Sequence, residues 1–195
     1  PRPRRLEGIL PLDPGEVPEH ALDGLTVTAI GDSVMKGAAL ALQDQGEQVL
    51  GEDHITINAE ESRAFSRAIG VIKGYQKAKR LGDIVVIHLG TNNSSIPTGD
   101  FNQLAELLSD RKFVLFLTVK SDKSQACDEV NAQLTHLVKN LPNAQLFDWR
   151  QVTEDHPELF YSDQTHLRPN GAKFYASLIF SRIGQQIAKA PAPSR

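Results

Sequence analysis

The sequence predicts a three-layer α/β/α domain built on a central, mostly parallel sheet of five strands. Short, largely apolar runs recur at 25–30, 54–58, 83–89, 112–119 and 144–149, the first of them β-branched. Between them lie segments whose apolar residues repeat at helical spacing. The third run, 83–89, is almost continuously apolar, which suits a strand buried on both faces. Strands alternating with helices imply right-handed crossovers and helices on both sides of the sheet.

Residues 1–24 are rich in proline and glycine, lack periodicity, and read as an irregular lead-in or linker with a basic start at 1–5. The first strand (25–30) runs into Gly31-Asp32-Ser33, and the Ala- and Leu-rich stretch 34–45 reads as one helix. A turn region at 46–53 leads to the second strand, 54–58. Phe65, Ile69, Ile72 and Tyr75, at spacings of three and four, give a helix face within 62–80. The third strand (83–89) ends in the polar loop 90–95. Phe101, Leu104, Ala105 and Leu108 mark the next helix, and 112–119 is the fourth strand. Val130, Leu134, Leu137 and Val138 line a helix over 128–140, before the fifth strand at 144–149. The last helix opens at Pro169, a favoured first position, and runs past Ile187 with Ala172, Ala176, Ile179 and Ile183 inward. Residues 190–195 read as a flexible tail, so the division is 1–24, 25–189 and 190–195.

Composition narrows the function. A chain of 195 residues with 40% hydrophobic content suits one domain with a sizeable core. A formal charge of -3 and the lack of an aromatic-and-basic stripe argue against a nucleic-acid partner. The longest apolar runs are strand-length and cannot span a bilayer. A single cysteine, Cys127, excludes an internal disulfide and a cysteine-based metal site, and leaves the redox compartment open. The chain starts without Met or a signal-peptide pattern, which reads as a piece of something longer or a processed product. The stretch from Gly31 to Gly37 lacks the Gly-Lys-Ser/Thr signature of a phosphate loop. Asp155 and His156 with Asp163 and His166 offer nitrogen and oxygen donors for a metal, but the last two have a better use below. No metal and no cofactor are expected.

A parallel sheet binds ligands outside the carboxyl ends of its strands. Polar clusters follow four of the five strands: Asp32-Ser33, Glu60-Glu61-Ser62-Arg63, Asn92-Asn93 and the segment from Asp163 to His166. At a strand-to-helix corner a serine can present its hydroxyl as a nucleophile, although such a serine also serves simply as an N-cap. A serine nucleophile needs a base, and His166 is the candidate. Asp163, three residues earlier, can hold the other ring nitrogen. The competing reading has Asp163 capping a turn and His166 on the surface. Asn92 can aim an amide at a developing oxyanion, with the Ser33 N–H as a second donor, or else Gly90-Thr91-Asn92-Asn93 is ordinary turn chemistry. Asp32 reads as a loop-fixing carboxylate and Trp149 as core or rim packing. Arg63 reads either as a ligand for a substrate carboxylate or sugar, or as an exposed helix-start residue.

Taken in order, Gly31-Asp32-Ser33, Gly90-Thr91-Asn92 and Asp163-x-x-His166 resemble the blocks of the SGNH (GDSL-type) hydrolase superfamily, over roughly residues 26–187. The resemblance implies the flavodoxin-like SGNH hydrolase fold, Ser33 as nucleophile, Asp163 and His166 as its partners, and Asn92 as an oxyanion donor. The family's second block usually supplies a glycine N–H to the oxyanion hole. Here that stretch has no glycine, and Ser62 is the nearest candidate for the donor. Many members have Asp after the asparagine of the third block, where this chain has Asn93.

Within the superfamily, Thr28 to Met35 with Gly37-Ala38, His88 to Asn92 and Leu146-Phe147-Asp148-Trp149 look most like the extracytoplasmic domains of bacterial cell-wall O-acetyltransferases. That resemblance implies an acetyl donor, a glycan acceptor, an extracytoplasmic setting and a monomeric domain tethered to an upstream membrane acyltransferase segment. A cytoplasmic setting stays open. Three functions stand side by side: acetyl transfer to a glycan hydroxyl, acyl-ester hydrolysis, and a non-catalytic glycan-binding domain. The loops at 60–63 and 92–98 are the expected walls of an acceptor groove.

Overall fold

The computed structural model describes residues 15–122 and 124–189. The basic start at 1–5, the first part of the lead-in and the tail at 190–195 lie outside the described residues. In chain order the elements are β1 (Val27–Gly31), α1 (Ser33–Gly37), α2 (Ala39–Leu50), β2 (Ile55–Ala59), α3 (Arg67–Lys77), β3 (Ile84–His88), α4 (Thr98–Leu108), β4 (Phe113–Leu117), α5 (Ser124–Val138), β5 (Ala144–Phe147), α6 (Trp149–Val152) and α7 (Pro169–Lys189), with a 3₁₀ turn at Pro157–Leu159.

The five strands form one sheet in the order β2-β1-β3-β4-β5, and every neighbouring pair is parallel. Chain direction across the sheet reverses between β1 and β3, so a crevice opens at their carboxyl ends. Ser33 and Asn92 follow those two strands. The alternation of side chains explains the apolar runs. Val27, Ala29, Val86, Leu115 and Leu117 enter a core shared with α2 and α7, while Ile30, Val85, Ile87, Val114 and Phe116 enter a core shared with α3, α4 and α5. Both faces are thus covered, as the fold class requires.

The helix expected over 128–140 runs from Ser124 to Val138, and three other boundaries differ from the sequence expectation for a tertiary reason. The helix expected over 34–45 is two helices, α1 and α2, separated at Ala38 (φ -98°, ψ 2°). Gly37 favours a helix end, and the fully buried Ala38 lets the chain turn so that α2 lies along α7. The helix expected over 62–80 starts at Arg67, because Ser62 has φ +57° and Asn93 Oδ1 accepts the Phe65 N–H at 2.9 Å. The fifth strand stops at Phe147. Asp148 Oδ1 takes the Gln151 N–H at 3.1 Å and the Thr118 hydroxyl at 2.9 Å, capping α6 and turning Trp149 into the core.

Candidate active site

The corner after β1 is built by its neighbours. A Cβ at Gly31 would stand 2.3 Å from Cβ of Met35, so only glycine lets α1 fold back this tightly. Asp32 Oδ1 accepts the Val34 N–H at 3.0 Å, and Ser33 becomes the first residue of α1. Asp32 is therefore the loop-fixing carboxylate, fully buried, and the N-cap role falls to it rather than to Ser33.

His166 arrives from the far end of the chain. An antiparallel bridge between Phe160 and Leu167, with the Tyr161 N–H donating to the His166 carbonyl at 2.8 Å, folds 161–166 into a tight turn. Inside it Asp163 Oδ1 accepts the N–H groups of Thr165 and His166, both at 2.9 Å. Asp163 Oδ2 lies 2.8 Å from His166 Nδ1, and His166 Nε2 lies 3.0 Å from Ser33 Oγ. Burial alone would raise the Asp163 carboxyl, but the hydrogen bonds from the His166 ring and from the two N–H groups outweigh it and hold the group below its ordinary range. An ionised carboxylate only accepts, so the ring proton sits on Nδ1 and the Nε2 lone pair faces the serine hydroxyl. The side chains of His166 and Asp163 are 47% and 45% exposed, so the site is open to solvent.

Two further loops close on the corner. Gly90 turns the chain after β3 at φ +130°, a conformation other residues rarely take, and a Cβ there would stand 2.7 Å from Val130. This sets Asn92 at the carboxyl edge, exposed, with Nδ2 donating to the Arg63 carbonyl at 3.4 Å. Ser62 is exposed at φ +57°, a left-handed backbone in which glycine carries no strain. Lys36 Nζ meets Glu61 Oε1 at 2.9 Å and ties this loop to α1.

Arg63 requires a correction. The sequence reads it as a substrate ligand or as an exposed helix-start residue, but its side chain is only 5% exposed and turned inward, and the helix starts at Arg67. One guanidinium nitrogen donates to the carbonyls of Gly31 (3.2 Å) and Asn58 (2.6 Å), and the other to Asn58 Oδ1 (2.7 Å) and Glu60 Oε2 (3.2 Å). Carbonyls at the ends of β1 and β2 have two lone pairs each, and Arg63 gives them a charge-assisted donor in addition to the Glu60 N–H that Gly31 O accepts at 3.2 Å. Its place is beneath the loops, holding the β1 corner, the Ser62 turn and, through its own carbonyl, Asn92.

No family model matches the chain. It is 31% identical over 153 residues to YrhL of Bacillus subtilis strain 168, whose assignment as a peptidoglycan O-acetyltransferase is itself provisional. It is 28% identical over 157 residues to the peptidoglycan O-acetyltransferase OatA of Listeria monocytogenes serovar 1/2a, strain EGD-e. The fold superposes on the C-terminal catalytic domain of OatA from Streptococcus pneumoniae, solved with a methylsulfonyl adduct, with a TM-score of 0.71 and 27% identity over 87% of this chain and 98% of that one. This chain is a homologue of the peptidoglycan O-acetyltransferases. The alignments take in 78% of this chain but 23% of each curated relative, so it corresponds to less than a quarter of those proteins. The five-stranded parallel sheet is that of the OatA catalytic domain and the SGNH hydrolases.

Beneath the candidate triad of this O-acetyltransferase homologue lies a polar cluster that sequence reasoning missed. His88, buried at the end of β3, has Nδ1 2.9 Å from the Tyr175 hydroxyl, stacks on that ring at 5.6 Å and meets the edge of Trp149 at 6.5 Å. Burial pushes His88 below its ordinary value, against the negative charge of Asp32 and the Thr118 backbone. Burial and the same charge push Tyr175 well up. The only signal in the sequence was a histidine closing an otherwise apolar strand. The His156 ring, once weighed as a metal donor, meets Glu158 at 2.8 Å, and no group of three His, Cys, Asp or Glu could hold a metal among the described residues.

Neutral His88 sets a pH dependence of stability. The unfolded imidazole titrates near 6.5 and the folded one lower, so on acidification the unfolded chain binds the proton first. This contribution is complete above that unfolded value and is lost below it, by about 1.4 kcal/mol per pH unit for one proton. Thermal melts should therefore fall off in acid more steeply for the parent than for His88→Gln. Parallel pH profiles would remove His88 from the account.

Proposed function

We propose that this domain transfers an acetyl group from a donor ester to a hydroxyl of cell-wall glycan through an acetyl-serine at Ser33. The observation that carries this reading is the chain of contacts Asp163–His166–Ser33, at 2.8 Å and 3.0 Å, in a homologue of the peptidoglycan O-acetyltransferases. Ser33 Oγ attacks the donor carbonyl while His166 Nε2 takes its proton. Asp163 keeps the ring in the competent tautomer and stabilises the imidazolium. The oxyanion is met by the N–H groups of Ser33 and Ser62 and by the Asn92 amide. Collapse expels the donor's alcohol, which leaves with the proton from His166. A glycan hydroxyl then attacks the acetyl-serine, His166 takes that proton, and collapse returns it to Ser33.

The half-exposed histidine and aspartate leave room for an acceptor, and equally for water, so ester hydrolysis is the second reading. A non-catalytic glycan-binding role leaves the aligned hydroxyl, imidazole and carboxylate without a use. The acceptor places the reaction outside the cytoplasm, and the shorter span relative to the curated relatives suits a catalytic domain joined to a membrane acyltransferase segment. No helix among the described residues is long and apolar enough to cross a membrane. The test is product analysis with an activated acetyl ester, with and without a glycan oligomer. Acetylated oligomer supports transfer. An acetate yield that stays constant as glycan is raised overturns transfer and leaves hydrolysis.

The oxyanion role of Asn92 separates chemistry from binding. Asn92→Ala should lower kcat by about 10²–10³ and change KM little, because the bond strengthens only as charge develops. A change confined to KM would make Asn92 a ground-state ligand.

A further inference from the structure

The transfer reading requires a place for the acceptor. A groove of about 590 Å³ opens between α2, α7 and the segment around Tyr161, and its lining includes Leu167, the residue after His166. We infer that this groove is the acceptor subsite and holds a stretch of amino-sugar chain. The inference rests on the transfer reading above.

Continuity with the site is the first argument. Gly37, the last residue of the short helix that begins with Ser33, lines the groove. Another wall is Tyr161, whose backbone N–H binds the carbonyl of His166. The groove is thus lined by residues of the same short helix and the same turn that carry Ser33 and His166. Leu40 and Tyr161 are the second argument. They are the large hydrophobic side chains left exposed among the described residues, 83% and 49%, and both line this one groove. Apolar groups gathered on one concave surface mark a binding face more than scattered ones do. The Tyr161 ring is braced by the Arg168 guanidinium, 5.4 Å from its centroid, and Arg168 Nε is itself anchored on the Phe160 carbonyl at 2.6 Å.

The lining chemistry selects the occupant. A sugar ring has an apolar C–H face and a rim of hydroxyl and acetamido groups, so it needs apolar platforms with both donors and acceptors around them. Asp44 and Gln48 on α2 and Lys173 on α7 face the groove and make no hydrogen bond or ion pair among the described residues. In the floor the Ser177 hydroxyl donates to Gln45 Oε1 at 3.2 Å, which leaves the Gln45 amide N–H groups for a ligand. An acyl chain would want a continuous apolar wall. A highly charged partner would want one sign of charge, whereas Asp44 and Lys173 carry both.

The probe is the β-1,4-linked tetramer of N-acetylglucosamine, added to the parent protein without acetyl donor and followed by amide NMR. Saturable shifts of the α2 residues 40–48 and of Tyr161 are expected. Tyr161→Ala should weaken tetramer affinity about tenfold, the size of one well-placed aromatic contact. Leu40→Glu, at a position that packs against little, should weaken it in the same direction. Both variants should raise the acceptor KM in transfer assays, and Leu40→Glu, outside the His166 turn, should leave hydrolysis of a small acetyl ester at the parent level. If the parent acetylates the tetramer and neither variant changes the acceptor KM, the groove assignment falls and the transfer reading stands. If the parent yields only acetate, the transfer reading falls, and the NMR titration decides the groove by itself. Shifts confined to other surfaces, or none, overturn it and leave the groove to another occupant such as a partner domain.

Discussion

Ser33→Ala should reduce acetyl turnover by about 10⁶, the loss seen when a serine hydrolase of unrelated fold is deprived of its nucleophile. The hydroxyl's hydrogen-bond partner is His166 Nε2 at 3.0 Å, so removing it takes away the attacking atom and little else. The corner survives, because Asp32 rather than Ser33 caps α1 and the packing of Gly31 on Met35 is unchanged. Thermal unfolding should accordingly match the parent closely, and substrate binding should persist. The measurement is steady-state hydrolysis of a small activated acetyl ester together with a melt. Substantial residual turnover in a well-folded variant would remove Ser33 from the reaction.

Asp163→Asn should lower kcat by about 10⁴ with a modest change in KM, the size of the same exchange in a serine protease triad. The geometry says why a nearly isosteric change is so damaging. Asp163 divides its work: Oδ1 holds the N–H groups of Thr165 and His166, while Oδ2 faces His166 Nδ1. An asparagine keeps the loop only by leaving its carbonyl on those two N–H groups, which points its NH₂ at Nδ1. The imidazole must then accept there and carry its proton on Nε2, facing Ser33 with a donor where an acceptor is needed. The loop stays formed and the base is lost. A loss of only a few fold would mean that Asp163 shapes the turn without tuning the histidine.

The fold was legible where burial writes directly into composition. Strands covered on both faces must be apolar at every position, so 84–89 and 113–119 stand out without further knowledge. The order of the polar clusters also follows, because in a parallel sheet all strand ends that carry loops toward the ligand lie on one edge. Boundaries were less legible, since tertiary contacts set them. Nothing local says that the chain must break at Ala38 to lay α2 along α7, or that Asp148 will cap a new helix and end the strand.

The site shows the same division. Ser33, Asp163 and His166 are polar residues at strand ends, and the structure brings them within hydrogen-bond reach. Arg63 deceived for a physical reason. An arginine among two glutamates reads as solvated, and only the carbonyls of Gly31 and Asn58, brought together by the pairing of β1 with β2, draw it inside. The positive φ of Ser62 has no signature in a stretch without glycine. Leu40 and Tyr161 looked ordinary because their meeting in one groove depends on α2 packing against the far end of the chain.

The most direct test of the account follows the acetyl group itself. The protein is mixed with an activated acetyl ester, quenched in acid on the time scale of one turnover, digested, and read by mass spectrometry. The account predicts one acetyl group on the peptide carrying Ser33, absent in Ser33→Ala, and discharged faster when a glycan oligomer is present, with the acetyl recovered on the oligomer. Acetate released with no acetyl-Ser33 at any quench time, or acetyl carried on another residue at a competent rate, would contradict it.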